Sequence, residues 1–164
     1  MVSLLQGSKE FPYHVSIGAV LVDGDGKVCV HHFDKVEHAG RKAEDIYILM
    51  RETPEGNESP VQTLVRGLKE EFGATASVRH YIGSLTCSPR LPNNQEKTTL
   101  YFLCDVVSQD VSRRENTDIE FESELEWHDV DFLTTRMKQQ LKETGYEDID
   151  ESKILERAKQ YISS

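Results

Sequence analysis

Apolar residues fall along this chain in two rhythms. His14 to Val22 (H-V-S-I-G-A-V-L-V) and Lys27 to Phe33 are apolar and β-branched, which predicts two strands, the first of them buried. Asp23-Gly24-Asp25-Gly26 between them predicts a hairpin turn. Ile46 to Met50, Val78 to Thr86, Thr98 to Val107 and Glu124 to Val130 predict further strands. Glu37 to Glu44 is polar and predicts a loop, as does S-P-R-L-P-N-N-Q-E-K between the strands ending at Thr86 and starting at Thr98. The other rhythm is helical. Phe132 to Glu143 and Ser152 to Ile162 predict helices, the second with a stripe of Ile154, Leu155, Ala158, Tyr161 and Ile162.

A third helix has defined ends. Ser59 suits the N-cap and Pro60 the first helical position. Val61, Leu64, Val65, Leu68 and Phe72 form one apolar stripe, and Gly73 is the stop. On this reading Thr63, Arg66, Gly67, Glu70 and Glu71 fan out away from the stripe. The open side then carries two carboxylates and a guanidinium, after an acidic loop containing Glu52, Glu55 and Glu58. Carboxylate oxygens so arranged suit a hard cation such as Mg²⁺, which in turn binds phosphate oxygens. Strands first, one helix in the middle and helices at the end predict an α+β layered domain.

The stretch E-T-P-E-G-N-E-S-P-V-Q-T-L-V-R-G-L-K-E-E-F-G-A, from Glu52 to Ala74, resembles the Nudix box, G-x5-E-x7-R-E-U-x-E-E-x-G-U with U apolar. Glu58, Arg66, Leu68, Glu70, Glu71, Gly73 and Ala74 fall in register. Two positions depart from the pattern. Glu52 stands where the leading Gly belongs, and Gly67 where the Glu after Arg66 belongs. The resemblance implies a Nudix-like α/β/α sandwich, a mixed sheet between helices, covering about His14 to Leu141. The whole chain, residues 1–164, then reads as one such domain with a helical extension from about Asp148. That last helix packs on the sheet or on a second copy in a homodimer.

The resemblance also implies an activity: metal-dependent hydrolysis of a diphosphate linkage in a nucleoside diphosphate derivative, with Mg²⁺ or Mn²⁺ as cofactor. Glu70 and Glu71 fit the metal role. Arg66 resembles the residue that ties the box together by pairing with Glu58, itself a ligand or a support for one. Glu55 fits either a loop acid of the site or plain surface. Gly67 leaves a gap where the family carries a ligand or general base. The base then comes from another segment, or the enzyme is slow, or the chain is a ligand-binding or regulatory module without turnover. The acidic run before Trp127 is where family members place an extra carboxylate. Glu120, Glu122, Glu124 and Glu126 share one face if that run is extended. Glu122 is the candidate metal ligand, and Glu124 joins Glu58, Arg66 and Glu71 as a catalytic candidate.

Bulk properties narrow this little further. The 164 residues suffice for a sizeable core. A net charge of −10 argues against nucleic-acid and anionic-membrane partners, though not against a nucleotide bound through a cation. Cys29, Cys87 and Cys104 form no C-x-x-C pair, the N-terminus lacks a signal pattern and no apolar run approaches a membrane span, so a cytoplasmic protein is expected. The Asp23 and Asp25 offset is that of an EF-hand loop, but Val28 occupies its Gly position and Asp34 its Glu position, so the hairpin stands. His14 and the His31-His32 pair have no carboxylate at metal spacing, and neighbours on a strand point to opposite faces. Arg90 and Gln95 either contact substrate or belong to an ordinary polar loop.

Overall fold

A computed structural model describes residues 7–8, 10, 12–38, 40–87, 96–115 and 119–162. Arg90 and Gln95 lie outside the described residues, as does the side chain of Glu120. The chain runs β1 (Tyr13–Val22), β2 (Val28–His38), β3 (Arg41–Ile48), β4 (Met50–Glu52), α1 (Pro60–Phe72), β5 (Ala74–Cys87), β6 (Glu96–Gln109), β7 (Glu124–His128), α2 (Val130–Thr144) and α3 (Ser152–Ile162). It is an α+β fold with a mixed sheet between helices. The order β3-β2-β1-β6-β5 carries β7 beside β2 and β4 beside β1. β1 and β6 are parallel, from Tyr13↔Glu96 to Val22↔Asp105. The other pairings are antiparallel.

The turn at Asp23 is the expected hairpin. Its carboxylate accepts from Asp25 N and Lys27 N, each at 2.9 Å, which closes the loop. Glu37 to Glu44 is not a plain loop. β2 and β3 continue as a paired ribbon through Glu37↔Lys42 and His38↔Arg41. The ribbon projects beyond the sheet body, so its side chains are mostly polar and wet while its backbone is still satisfied by pairing.

Two cores lie on the two faces of the sheet. Ile17, Ala19, Leu21, Cys29 and Met50 pack against Leu64, Leu68 and Phe72 of α1. Val20, Val28, Val30, Leu49, Tyr101 and Leu103 pack against Val130, Leu133 and Met137 of α2 and Ile154, Leu155 and Ala158 of α3. The apolar stripe of α3 is therefore used within its own chain, on the sheet and α2.

One device sets the position of the acidic loop. Between β3 and β4 the chain crosses from β2 to β1, and β3 is the edge strand, so backbone groups around this step have no ladder partner on the outer side. Buried side chains serve instead. Gln140 accepts from Tyr47 N at 2.6 Å and donates to Tyr47 O at 3.0 Å, and Glu151 accepts from Leu49 N at 2.8 Å. The tyrosine hydroxyl of Tyr101 donates to the same Glu151. Thus pinned, β4 pairs Ile17↔Glu52 and Ala19↔Met50, which turns Met50 and Glu52 towards α1.

Candidate functional site

The ends of α1 follow the sequence closely. Ser59 Oγ accepts from Gln62 N at 3.2 Å, and the Gln62 side chain accepts from Ser59 N at 2.8 Å, a reciprocal capping box. Gly73 takes φ 60° and closes the helix with its N–H on Leu68 O and Lys69 O. The buried face is rotated from the expected one. Thr63, Leu64, Gly67, Leu68 and Phe72 are buried, whereas Val61 and Val65 stay 46% and 51% exposed. Small residues at 63 and 67 let the helix approach β4 closely, which brings those positions, not Val61 and Val65, under the sheet.

Arg66 is the hub of the site. Its Nε donates to Glu58 Oε1 at 2.8 Å and its Nη2 to Glu58 Oε2 at 3.0 Å, a two-toothed pair. Nη2 also donates to Thr53 O at 2.8 Å, and Nη1 to Glu70 Oε2 at 3.3 Å. Glu55 and Glu52 lie 3.5 Å and 3.6 Å from the same Nη1. Arg66 thereby ties the loop to the helix. Its bonds to Glu58, with those of Glu55 N and the Thr63 hydroxyl, hold the Glu58 carboxyl down at about 2. The Glu55 side chain is largely exposed and lies against Arg66, while its backbone bonds Glu58.

Glu71 meets a residue that sequence reasoning set aside. His31 is fully buried, and its Nε2 lies 2.7 Å from Glu71 Oε2. Its Nδ1 lies 2.6 Å from Ser123 Oγ. With Glu71 ionised and the imidazole neutral, Nε2 carries the proton and donates, and Nδ1 then accepts from the serine hydroxyl. Arg114 Nη2 donates to that hydroxyl at 3.1 Å, and Arg114 Nε donates to Glu71 O at 2.6 Å. The chain Arg114–Ser123–His31–Glu71 fixes the carboxylate. The carboxylate partner held to be missing exists, 40 residues along the chain from His31. Only period-two alternation was visible beforehand. It did put His32 on the other face, where it meets Glu126 at 2.7 Å and Asp45 at 2.9 Å. His14 meets Thr53 at 3.1 Å.

The acidic run before Trp127 reaches the end of α1. Glu115 N donates to Glu70 O at 2.8 Å, and Gln109 Nε2 to Phe72 O at 3.1 Å. Ser123, flanked by Glu122 and Glu124, is the residue bonded to His31. The shared face expected for the four glutamates is not formed, because Ile119–Glu122 is a 3₁₀ turn and the strand starts at Glu124. Glu122 is exposed in that turn. Glu124 is exposed and pairs with His32, so it stands on the sheet face opposite α1.

Gly67 does not leave an open gap. A Cβ built there would lie 2.8 Å from Glu52 Cβ, 3.2 Å from Glu52 Cγ and 3.0 Å from Met50 Sδ. The Glu52 side chain occupies the notch. Burial and the charges of Glu71 and Glu70 push its carboxyl up to about 7, against the pull of the Thr53 N–H and Arg66. Carboxylates crowded this way, with one guanidinium among them, form a donor set suited to a hard cation. Among the described residues no three such side chains already converge on one ion position, since Arg66 holds Glu70 and His31 holds Glu71.

A model of the NUDIX domain matches residues 12–152. No curated protein sequence matches the chain. Among solved structures, a NUDIX hydrolase from Nitrosomonas europaea superposes with TM-score 0.66 at 18% identity, over 90% of this chain and 88% of that one. A MutT protein from Methanosarcina mazei Go1 gives TM-score 0.62 at 16% identity, over 93% and 97%. A UDP-X diphosphatase gives TM-score 0.51 at 18% identity, over 71% and 51%. These identities speak for the fold. Among the described residues no helix is long and apolar enough to cross a membrane.

Proposed function

Because this chain belongs to the Nudix hydrolase family, we propose that it is a divalent-metal-dependent pyrophosphohydrolase acting on a nucleoside diphosphate derivative. The observation that carries the reading is the Arg66 fork, which binds Glu58 and Thr53 O and leaves Glu70 and Glu71 side by side on the same helix turn. Glu70 and Glu71 would hold Mg²⁺ or Mn²⁺, with Glu122 as the candidate from the neighbouring turn. Such an ion, when bound, polarises the phosphate and acidifies water.

The chain's own residues supply the rest. Arg66 sets the loop against the helix and leaves positive charge beside Glu70. The His31 N–H holds Glu71 in one orientation, and Ser123 and Arg114 hold His31. Glu58 keeps its charge across the working range because its carboxyl is held at about 2. Three free cysteines fit a reducing compartment such as the cytoplasm.

The test is a panel of nucleoside diphosphate sugars, dinucleoside polyphosphates, oxidised nucleotides and nucleotide cofactors, with Mg²⁺ and with Mn²⁺. Release of a nucleoside monophosphate or phosphate by the wild type, and its loss in Glu70→Gln/Glu71→Gln, is the expected result. Ligand-dependent thermal shifts without any product would refute turnover and leave a binding module.

A further inference from the structure

Two departures from the box pattern meet in space. The pattern has Gly where this chain has Glu52, and Glu where this chain has Gly67. Fifteen positions apart along the chain by their numbers, they share one volume: a Cβ at 67 and the Cβ of Glu52 would be 2.8 Å apart, too close for both to exist. A side chain at 52 therefore demands glycine at 67, and a side chain at 67 demands glycine at 52. Each departure is costly alone. Gly in a helix interior weakens it, and a carboxylate beside other carboxylates in a partly buried place is disfavoured. Together they leave the number of carboxylates at this point unchanged.

The carboxylate itself lies in the right company. The pairing Ile17↔Glu52 turns the side chain to the α1 face. Glu52 Oε2 is 3.6 Å from Arg66 Nη1, and Glu70 Oε2 is 3.3 Å from the same nitrogen. Glu52 Oε1 accepts from Thr53 N at 2.9 Å, which fixes its direction from the strand side.

We propose that Glu52 is a transposed metal ligand: its carboxylate, delivered from β4 through the notch at Gly67, joins Glu70 and Glu71 in holding the divalent cation. The inference rests on the hydrolase reading above. It reassigns the missing carboxylate to the strand, 67 being the opening through which it reaches the ion. The competing role is structural, with Glu52 serving only as a further anion for Arg66.

The experiment is a two-position cycle read by Mn²⁺ titration and by melting of the metal-free protein. Glu52→Gln keeps the shape of the side chain and removes its charge. It should weaken Mn²⁺ binding by about tenfold or more. Gly67→Glu alone should lower the metal-free melting temperature, because the new Cβ meets Glu52. Glu52→Gly/Gly67→Glu should recover both melting temperature and Mn²⁺ affinity. Gly67→Ala adds a check without any metal. It should lower the melting temperature in the wild type and raise it in Glu52→Gly, where only the flexible Met50 thioether at 3.0 Å has to shift and Ala is the better helix former.

If the wild type binds Mn²⁺ and hydrolyses a diphosphate while Glu52→Gln binds Mn²⁺ equally well, the transposition is wrong and the hydrolase reading stands. If Gly67→Ala behaves alike in both backgrounds, the shared volume is wrong and the proposal fails. A wild type with neither Mn²⁺ binding nor turnover overturns the hydrolase reading and this inference with it.

Discussion

Replacing Arg66 by Met keeps a long apolar stem and deletes every donor of the hub. The side chain loses two bonds to Glu58 at 2.8 and 3.0 Å, one to Thr53 O at 2.8 Å and one to Glu70 at 3.3 Å. Charge-assisted bonds of this kind are each worth about 1.5–3 kcal/mol, and breaking a buried pair costs about 3–5 kcal/mol. The pair is neither dry nor fully wet, with Arg66 18% and Glu58 22% exposed, and exposed pairs contribute only about 0–1 kcal/mol. Losses at one hub do not add. An intermediate value of about 2–3 kcal/mol follows, or roughly 4–12 °C in Tm for a chain of this size. Arg66→Lys keeps the charge without the fork and should lose about half of that. Urea denaturation of the metal-free proteins near neutral pH measures both. The acid limb adds a sign. Arg66 holds the Glu58 carboxyl down to about 2, so its contribution is present above the ordinary 4.5 and disappears as pH falls towards about 2. In Arg66→Met that part of the acid dependence should vanish. A loss below about 1 kcal/mol, with Lys equal to Arg, would refute the fork as the tie between loop and helix.

Other outcomes are expected from neighbouring parts of the molecule. Burial alone would lower the His32 value, but its bonds to Asp45 and Glu126 outweigh this and raise it above 6.5. Its stabilisation is therefore complete below that value and is lost as pH rises through the raised one, so Tm should fall with rising pH less in His32→Gln than in the wild type. An equal slope in both would refute the contact. Burial pushes the Cys29 and Cys104 thiols up to about 12, so a thiol reagent should label only Cys87 in the native protein and all three cysteines once unfolded. Rapid native labelling of Cys29 would contradict the α1-side core. Glu122→Gln should cut turnover by about tenfold or more, an effect of about 1.4 kcal/mol. Glu124→Gln, on the far face of the sheet, should leave turnover near wild type, and the reverse ranking would overturn the assignment by register.

The spacing Glu58–Arg66–Glu70–Glu71–Gly73 was legible because a helix converts sequence intervals directly into a face and a pair of caps. Ser59, Pro60 and Gly73 did what their chemistry demands. What a helix cannot announce is which element will pack on it. Val61 and Val65 belonged to a plausible stripe, yet Gly67 and Thr63, being small, drew the helix in along a different line. The ribbon through Glu37 and Lys42 was hidden for a related reason. Polar composition signals solvent, and a wet ribbon and a wet loop look alike until the backbone pairing is seen. His31 and Glu52 were the larger omissions. Both depend on contacts between strand and helix, 40 residues apart for His31 and Glu71. Glu52 had a visible signal, a paired exchange of Gly and Glu inside one motif.

The parallel pairing of β1 with β6 bears on how the protein is made. Ser16 and Thr99 share a bond at 2.8 Å although 83 residues separate them. Its local pairing with β2 extends over only Leu21↔Cys29 and Val22↔Val28. During synthesis the central strand thus emerges early and waits for its main neighbour until after the loop, α1 and β5 have all left the ribosome. Contacts of such long span make folding slow. A nascent chain stalled before Glu96 would hold the complete box, with Glu52, Arg66, Glu70 and Glu71 all translated, on a floor of β1, β2 and β4 that still lacks β6 and β7. The Arg66 fork could form there, but the Arg114–Ser123–His31 support of Glu71 could not, so the orientation of that carboxylate is a property of the finished sheet and not of the segment that spells the box.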